Sequence, residues 1–270
     1  MNELSKSMYS EVVEIIKSAR ERAFRKVNEE LILDVRENSM KNVELNKWKN
    51  ILLNLPNGFT YTAHAGCVNT PDDSLESIDA GVKYNAAIVE IDLNFNADNV
   101  PVLSHDTPKG GEITLDEAFE RISKYENLKV NVDVKYTSNL KEVVVLADKY
   151  GITDRIFFTG VTPDFVSAIH DACPNIPYYL NVEVRSAKKR SKKYLRSLVQ
   201  LVKDSGAIGI NFNKDSATKK LVDIFHENGL LVSIWTVDKE RDICKILTMA
   251  PDNITTKQPD RIKIILENAE

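Results

Sequence analysis

The sequence predicts an α/β protein, a (β/α)8 TIM barrel carrying an appended N-terminal helical segment. Three observations predict it. From residue 60 onward, short β-rich runs alternate with helical stretches to the end of the chain. Eight such strand–helix units fit into roughly 210 residues, the small end of the range for this barrel. A doubly wound open sheet is the competing arrangement, but it uses fewer strands and opens on a Gly-rich turn, which is absent after the first β-rich run.

In chain order, the first segment is helical. Val12, Ile16, Ala19, Ala23, Val27 and Leu31 fall three or four apart and share one helical face over residues 10–33, with Glu and Arg opposite. A second helical stretch over 42–55 carries Val43, Leu45, Trp48 and Leu52 and stops at Pro56-Asn57-Gly58, a turn signal. The expected division is a helical extension over residues 1–57 and a barrel domain over 58–270. Strands are expected at 61–66, 88–95, 130–136, 156–160, 178–184, 208–213, 231–237 and 254–257. Helical stretches accompany them at 74–84, 138–150, 163–172, 188–204, 217–228, 239–249 and 259–267. An extra short run at 100–104 and a helix at 115–125 fall between the second and third strands.

Composition narrows the class. With 270 residues, 43% hydrophobic and 28% charged, the chain has the make-up of an ordinary globular protein, which excludes disorder, collagen and coiled-coil arrays. A net charge of −4 argues against sequence-independent nucleic-acid binding, which needs clustered positive charge. Cys67, Cys173 and Cys244 are too few and too scattered for a disulfide framework or a Cys-rich zinc site, and fit a reducing compartment. The N-terminal residues alternate charged with apolar and lack the continuous apolar core of a secretory signal. Nowhere do about 18 apolar residues run together, so no transmembrane segment is expected and the cytoplasm is the default location.

In a barrel of this kind, chemistry sits where each strand runs out into the loop before its helix. The first strand ends in His64, and the second in Glu90-Ile91-Asp92, two carboxylates two apart and so on the same side. The extra run ends in His105-Asp106 and the third strand in Asp133-Val134-Lys135. The fifth carries Glu183, the sixth Asn211 and Asn213, and the seventh Trp235-Thr236. The inward mid-strand face is expected to hold Val, Ile or Leu, so Glu90, Asp92, Asp133 and Lys135 are costly there unless they pair or bind a cation. Taken singly, each is accounted for by a buried Asp–Lys ion pair or a solvated strand end. Taken together, three carboxylates with little positive charge nearby have the composition of a hard-cation site, and oxygen ligands suit Mg2+ or Ca2+ rather than zinc. His64 and His105 end strands, where two imidazoles can divide general-base and general-acid work near neutral pH. His170 and His226 lie within helical stretches and are expected to pack or face solvent. A cation and Lys135 would stabilise negative charge developing on a phosphoryl group.

These residues resemble those of the glycerophosphodiester phosphodiesterase family over residues 60–270. That family opens on H-R-G, P-E-N-T-L, G-A-x-x-V-E-x-D and V-V-x-H-D. The corresponding stretches here are His64-Ala65-Gly66, Pro71-Asp72-Asp73-Ser74-Leu75, Ala86-Ala87-Ile88-Val89-Glu90-Ile91-Asp92 and Pro101-Val102-Leu103-Ser104-His105-Asp106. Further on, Asp133-Val134-Lys135 resembles the family's E-x-K, Trp235-Thr236-Val237 its W-T-V, and Thr256-Lys257-Gln258-Pro259 its closing T-D-x-P. The resemblance implies hydrolysis of a phosphodiester of glycerol or a related alcohol. It implies His64 and His105 as catalytic residues, Glu90, Asp92 and Asp133 as ligands of one divalent cation, Lys135 on the phosphoryl oxygens and Trp235 as a wall of the substrate pocket. Glu183, another strand-end residue, completes the expected substrate-binding set.

The chain departs from the family pattern at three points. Ala65 stands where an Arg follows the first His, removing a phosphate-binding cation. Asp133 is a methylene shorter than the usual Glu, and Asp-x-Lys also resembles the related sphingomyelinase D-like phospholipases. The capping subdomain that usually follows the second His is nearly gone, which implies a more open site. Two other readings stand beside the hydrolase: lysophospholipase D or sphingomyelinase D-like activity, and a barrel that binds phosphorylated ligands without turnover, which Ala65 favours. Tyr9 to Val13, Ser18 to Arg20 and Val27 to Leu31 resemble the helical N-terminus of a family of bacterial restriction-like nucleases, with no nuclease motif following. A basic run over residues 185–196 reads first as the solvated start of a helix. Its place after the fifth strand puts it near the catalytic rim, where peripheral contact with anionic lipid is the partner it implies beside a small-molecule phosphodiester. Cys67 is expected to be a spectator.

Overall fold

Residues 54–267 are described in the structure, a computed structural model. The helix expected over 10–33, and all but the last two residues of the 42–55 stretch, lie outside the described residues. The expected turn is present: the Phe59 amide donates to the Pro56 carbonyl at 3.0 Å, and Gly58 has φ +88°.

The strands are β1 (Thr60–Ala63), β2 (Ile88–Phe95), β3 (Pro101–Leu103), β4 (Lys129–Val134), β5 (Ile156–Val161), β6 (Tyr178–Asn181), β7 (Gly209–Asn213), β8 (Leu231–Trp235) and β9 (Asn253–Thr256). Eight of them are parallel and close in the order β1, β2, β4, β5, β6, β7, β8, β9, with β9 pairing back to β1. β3 is the extra run. It returns antiparallel on β2, Phe95 opposite Pro101, so the turn between them stands beyond the C-terminal end of β2.

The helices are α1 (Leu75–Lys83), α2 (Leu115–Ser123), α3 (Leu140–Lys149), α4 (Val166–Ala172), α5 (Lys192–Ser205), α6 (Lys219–His226), α7 (Glu240–Leu247) and α8 (Pro259–Glu267). Four of their starts are set by side chains that accept orphan backbone N–H groups. Ser74 accepts from Ser77, Ser191 from Tyr194 and Thr218 from Leu221, while Thr114 and Glu117 form a reciprocal capping box. α1 lies tight on the sheet because Gly81 has no side chain; a Cβ there would meet Ala63 Cβ and Val89 Cγ1, each at 2.8 Å.

Register decides which rows face inward. Glu90 sits opposite Asn131, Asp92 opposite Asp133, and Asp133 opposite Thr159; Asn181, Asn211, Ser233, Asn253 and Thr60 continue the row round to β1. The alternate residues Val89, Ile91, Leu93, Val130, Val132, Ile210, Phe212, Val232 and Ile234 are buried against the helices. The expectation of Val, Ile or Leu on the inward mid-strand face is therefore corrected. The apolar rows point outward to the helices, and the inward rows that line the lumen carry Thr, Ser and Asn beside Phe157 and Tyr179, whose rings meet edge to face with centroids 5.7 Å apart. Such a lumen is stable because short polar side chains satisfy one another across strands. Asn253 Nδ2 donates to Thr60 Oγ1 and Thr62 Oγ1, both at 2.9 Å, and the Ser233 hydroxyl donates to Asn253 Oδ1 at 3.2 Å. The hydrophobic core is a shell between sheet and helices, and the polar lumen opens at the C-terminal ends of the strands.

Candidate active site

The β2–β4 register brings three carboxylates together at that mouth. One oxygen from each of Glu90, Asp92 and Asp133 lies within 4.8 Å of the others. Each is held by its neighbours. The Ala65 amide donates to Glu90 Oε2 at 2.7 Å, and the Thr159 hydroxyl lies 2.7 Å from Asp133 Oδ1. Lys135 Nζ sits between Asp92 Oδ1 at 2.8 Å and Asp133 Oδ2 at 2.5 Å. Burial lowers the affinity of the Lys135 ammonium for its proton, but Asp133 and Asp92 outweigh it and hold the group charged above its ordinary range. One internal cation thus faces three acids. Burial, then Asp92 and Asp133, push the Glu90 carboxyl well above the usual carboxylate range.

A fourth acid completes the crowd. Asp73, in the left-handed region at φ 52°, turns its carboxyl toward Asp92 and accepts the His105 amide at 2.9 Å. Burial and the Asp92 charge raise it to about 6, and its Oδ1 is buried without a partner. The loop that delivers it turns at Gly66, φ +73°, where a Cβ would fall 1.8 Å from Asp72 Oδ1.

The two histidines flank this cluster with the same ring nitrogen committed. His64 Nδ1 lies 3.0 Å from the Ala65 carbonyl and 3.8 Å from Glu90 Oε2; His105 Nδ1 lies 3.1 Å from Asp106 Oδ1. A carbonyl or carboxylate can only accept, so Nδ1 carries a proton in both rings and Nε2 is the nitrogen left to exchange one. His64 is mostly covered, with 23% of its side chain exposed, whereas His105 stands out at 66%.

The remaining sequence-predicted residues divide. Trp235 ends β8 with its indole Nε1 buried and unpartnered, a donor aimed at nothing within the protein. Glu183 lies past the end of β6, exposed, and makes no ion pair with a described residue. His170 bonds the Tyr178 hydroxyl at 3.1 Å and His226 bonds Asp252 at 2.8 Å, so both are packing residues as expected. Cys67 is buried, and burial first of all raises its thiol pKa, which fits a spectator. Asp73 and Thr159 were missed as site residues. Asp73 lay within the quoted Pro71–Leu75 stretch without a strand to place it, and Thr159 became visible once β5 was set beside β4. Asn211 Oδ1 is likewise buried and unpartnered, although its amide donates to Asn181 Oδ1 at 3.0 Å. Residues 104–114 link β3 to α2 directly, so the mouth carries no inserted subdomain on this side.

Comparison with known proteins places this site in context. The model of the glycerophosphoryl diester phosphodiesterase family matches residues 108–261, more than half of the chain. The chain belongs to this family. Asp133, Lys135, Glu183 and Trp235 lie inside the matched segment of the glycerophosphoryl diester phosphodiesterase model, while His64, Glu90, Asp92 and His105 precede it. A Bacillus altitudinis glycerophosphodiester phosphodiesterase is 23% identical over 158 residues, 57% of this chain and 62% of that protein's length. A Bacillus subtilis protein named for the same activity is 21% identical over 238 residues, covering 74% of this chain and 95% of that protein. Among solved structures, a glycerophosphodiester phosphodiesterase from Parabacteroides distasonis superposes with a TM-score of 0.64 at 18% identity, covering 79% of this chain and 99% of that one. A phosphodiesterase from Oleispira antarctica, solved with the product sn-glycerol-3-phosphate, gives 0.62 at 17% identity, covering 80% and 99%. At these identities the likeness establishes the shared barrel. No described helix is long and apolar enough to cross a membrane.

Proposed function

We propose that this chain is a divalent-cation-dependent phosphoric diester hydrolase. It cleaves glycerophosphodiesters or related lipid-derived phosphodiesters to an alcohol and a phosphomonoester. The observation that carries the reading is the set of three desolvated carboxylates within 4.8 Å at the mouth, between two imidazoles whose Nε2 atoms are uncommitted. Buried like charges repel, and one lysine leaves the cluster net negative, so the donor set fits a hard divalent cation such as Mg2+ or Ca2+. Glu90, Asp92 and Asp133 would hold it, where it would offset charge growing on a non-bridging phosphoryl oxygen.

The chain's own groups supply the rest. One imidazole takes the proton of the attacking hydroxyl on Nε2, and the other, entering the step with a proton on Nε2 as well as on Nδ1, gives it to the departing alkoxide oxygen. Lys135 lies at the same level and places a fixed ammonium beside the phosphoryl group. Trp235 offers an indole wall for the alcohol portion, and Glu183 stands at the rim, able to accept from its hydroxyls. Family membership and the names of the relatives support this reaction class.

The test is hydrolysis of a panel of glycerophosphodiesters, lysolipids and cyclic phosphates, with product analysis and with or without EDTA. Phosphomonoester release that EDTA removes and Mg2+ or Ca2+ restores is expected. Release indifferent to chelation would eliminate the cation reading, and tight ligand binding without turnover would convert the site to a phosphate-binding barrel.

A further inference from the structure

Across the mouth from the carboxylates, the barrel rim carries charge of the opposite sign. Seven of the twelve residues over 185–196 are Lys or Arg and none is acidic. They occupy the loop after β6 and the start of α5. The loop after β7 and the start of α6 add Lys214, Lys219 and Lys220, of which Lys214 lies 3.9 Å from Asp215 and Lys219 pairs with Asp223. The two loops are tied together: Lys189 Nζ donates to the Asp215 carbonyl at 2.7 Å, Lys220 Nζ to the Arg190 carbonyl at 2.6 Å, and the Ser216 hydroxyl to the Val184 carbonyl at 2.9 Å. None of the seven cations forms an ion pair with a described residue, in contrast to Lys124, Lys135, Lys149 and Lys257.

The patch also violates a local rule. The N-terminus of a helix is positive, so acids belong in its first turn. α1, α2, α3, α7 and α8 obey, with Glu76, Asp116, Glu142, Glu240 and Asp260, and the short α4 has neither an acid nor a base there. α5 and α6 instead open on Lys192-Lys193 and Lys219-Lys220, with no acid in the first turn of either. Both helix starts lie at the C-terminal rim, so their dipoles add to the lysines. Sequence that works against its own helices at two neighbouring sites marks a function rather than a stability requirement.

The same rim carries exposed apolar side chains. Tyr136, just past the end of β4, is 60% exposed, and Val100, in the β2–β3 turn, is 41% exposed. Asn139 Nδ2 donates to the Asn99 carbonyl at 3.0 Å and joins these two loops.

We propose that this rim docks on the surface of an anionic phospholipid bilayer, with the basic β6–β7 loops against the headgroups and Tyr136 and Val100 at the interfacial level. Cations attract an anionic leaflet at range, and an aromatic ring on the same rim suits the headgroup zone. Docking would turn the uncapped mouth toward the membrane, so the substrate class becomes lysolipids or headgroup phosphodiesters presented at the surface; this last step rests on the hydrolase reading. A nucleic acid fits the features less well, since the one aromatic within the basic run, Tyr194, is half-buried with its hydroxyl accepting the Arg185 amide at 3.0 Å.

The test is co-sedimentation of the full chain with phosphatidylglycerol/phosphatidylcholine vesicles and with pure phosphatidylcholine vesicles, from low to physiological salt. Binding to the anionic vesicles at least tenfold tighter, weakening as salt rises, is expected. The Lys188→Glu, Lys192→Glu, Lys193→Glu triple variant should lose that binding at least tenfold while unfolding at the same or a higher temperature, because two new acids then sit at a helix N-terminus. Tyr136→Ser should weaken binding a few-fold. Equal partition to both vesicle types, or unchanged binding by the triple variant, would overturn the proposal. So would tighter binding to a single-stranded oligonucleotide than to the anionic vesicles at matched salt. Vesicle binding needs no turnover, so it stands or falls apart from the hydrolysis assay.

Discussion

The two sides of the barrel mouth use charge in opposite ways. On the β1–β2–β4 side, acids are buried, crowded and held by named hydrogen bonds, and their cost is met by one lysine and a fit to a cation. On the β6–β7 side, most of the cations are exposed and those over 185–196 form no ion pair with a described residue, so each costs little but acts at range and is screened by salt. Buried charge gives a position; exposed charge gives a field. The contrast teaches that placement in the fold, rather than net charge, assigns a role to each ionic group, for the chain as a whole is only mildly acidic at −4.

The sharpest way to break this contrast is at the histidines of the buried side. His64→Ala or His105→Ala should lower kcat about 10²- to 10⁴-fold, the usual contribution of a positioned proton donor or acceptor, with little change in Tm. Full activity in both variants, measured by phosphomonoester release, would remove them from the chemistry.

Next comes Glu90→Gln, which should separate stability from function. It keeps an acceptor for the Ala65 amide and removes a buried like charge, so the cation-free protein should unfold at a higher temperature while activity collapses. Saturating Mg2+ or Ca2+, at about a hundred times Kd, should stabilise the parent by ~2.7 kcal/mol and the variant far less. A lower Tm for the cation-free variant would show that Glu90 serves the fold instead.

A smaller effect is expected at Thr159→Val, which removes the hydroxyl beside Asp133 Oδ1 and keeps the shape. Cation affinity should fall about 10-fold, in line with loss of a supporting hydrogen bond, and titration calorimetry would read it. Unaltered affinity would leave Thr159 as a lumen residue only.

The smallest lies away from the mouth, at the start of β1. Burial lifts Tyr61 to about 12, and its hydroxyl donates to the Tyr84 carbonyl at 2.7 Å. The folded state keeps this proton where the unfolded chain has lost it, so Tyr61 withdraws stability as pH climbs from 10 toward 12 and contributes nothing to pH dependence below 10. Tyr61→Phe should flatten that alkaline limb in denaturant titrations; an identical slope would refute the assignment.

Much of this molecule was legible in sequence. All eight barrel strands and the β3 return fall where β-rich runs between turn signals placed them, because strand length and loop punctuation are local properties. The helix at 188–204 began later than expected, at Lys192 behind the Ser191 cap, since the basic residues before it first form a separate short turn at Ser186–Lys188. Glu90, Asp92, Asp133 and the two histidines are legible as candidates because polar residues at strand ends stand out against apolar runs. Asp73 and Thr159 were not, because one lies on a loop and the other on a strand whose partner only register reveals. The inward rows were misjudged for a related reason: alternation shows that two faces differ, but not which faces the helices.

By itself the sequence determined the α/β alternation, the strand ends and the identity of the chemical groups, all of which depend on residues near one another in the chain. Tertiary structure alone decided that apolar rows face outward, that Lys135 lies between Asp92 and Asp133, that Asp73 joins the acids, and that two basic loops meet on the opposite rim. Those facts depend on closing β9 onto β1, which sets the register, and register is a relation between segments that no local pattern carries.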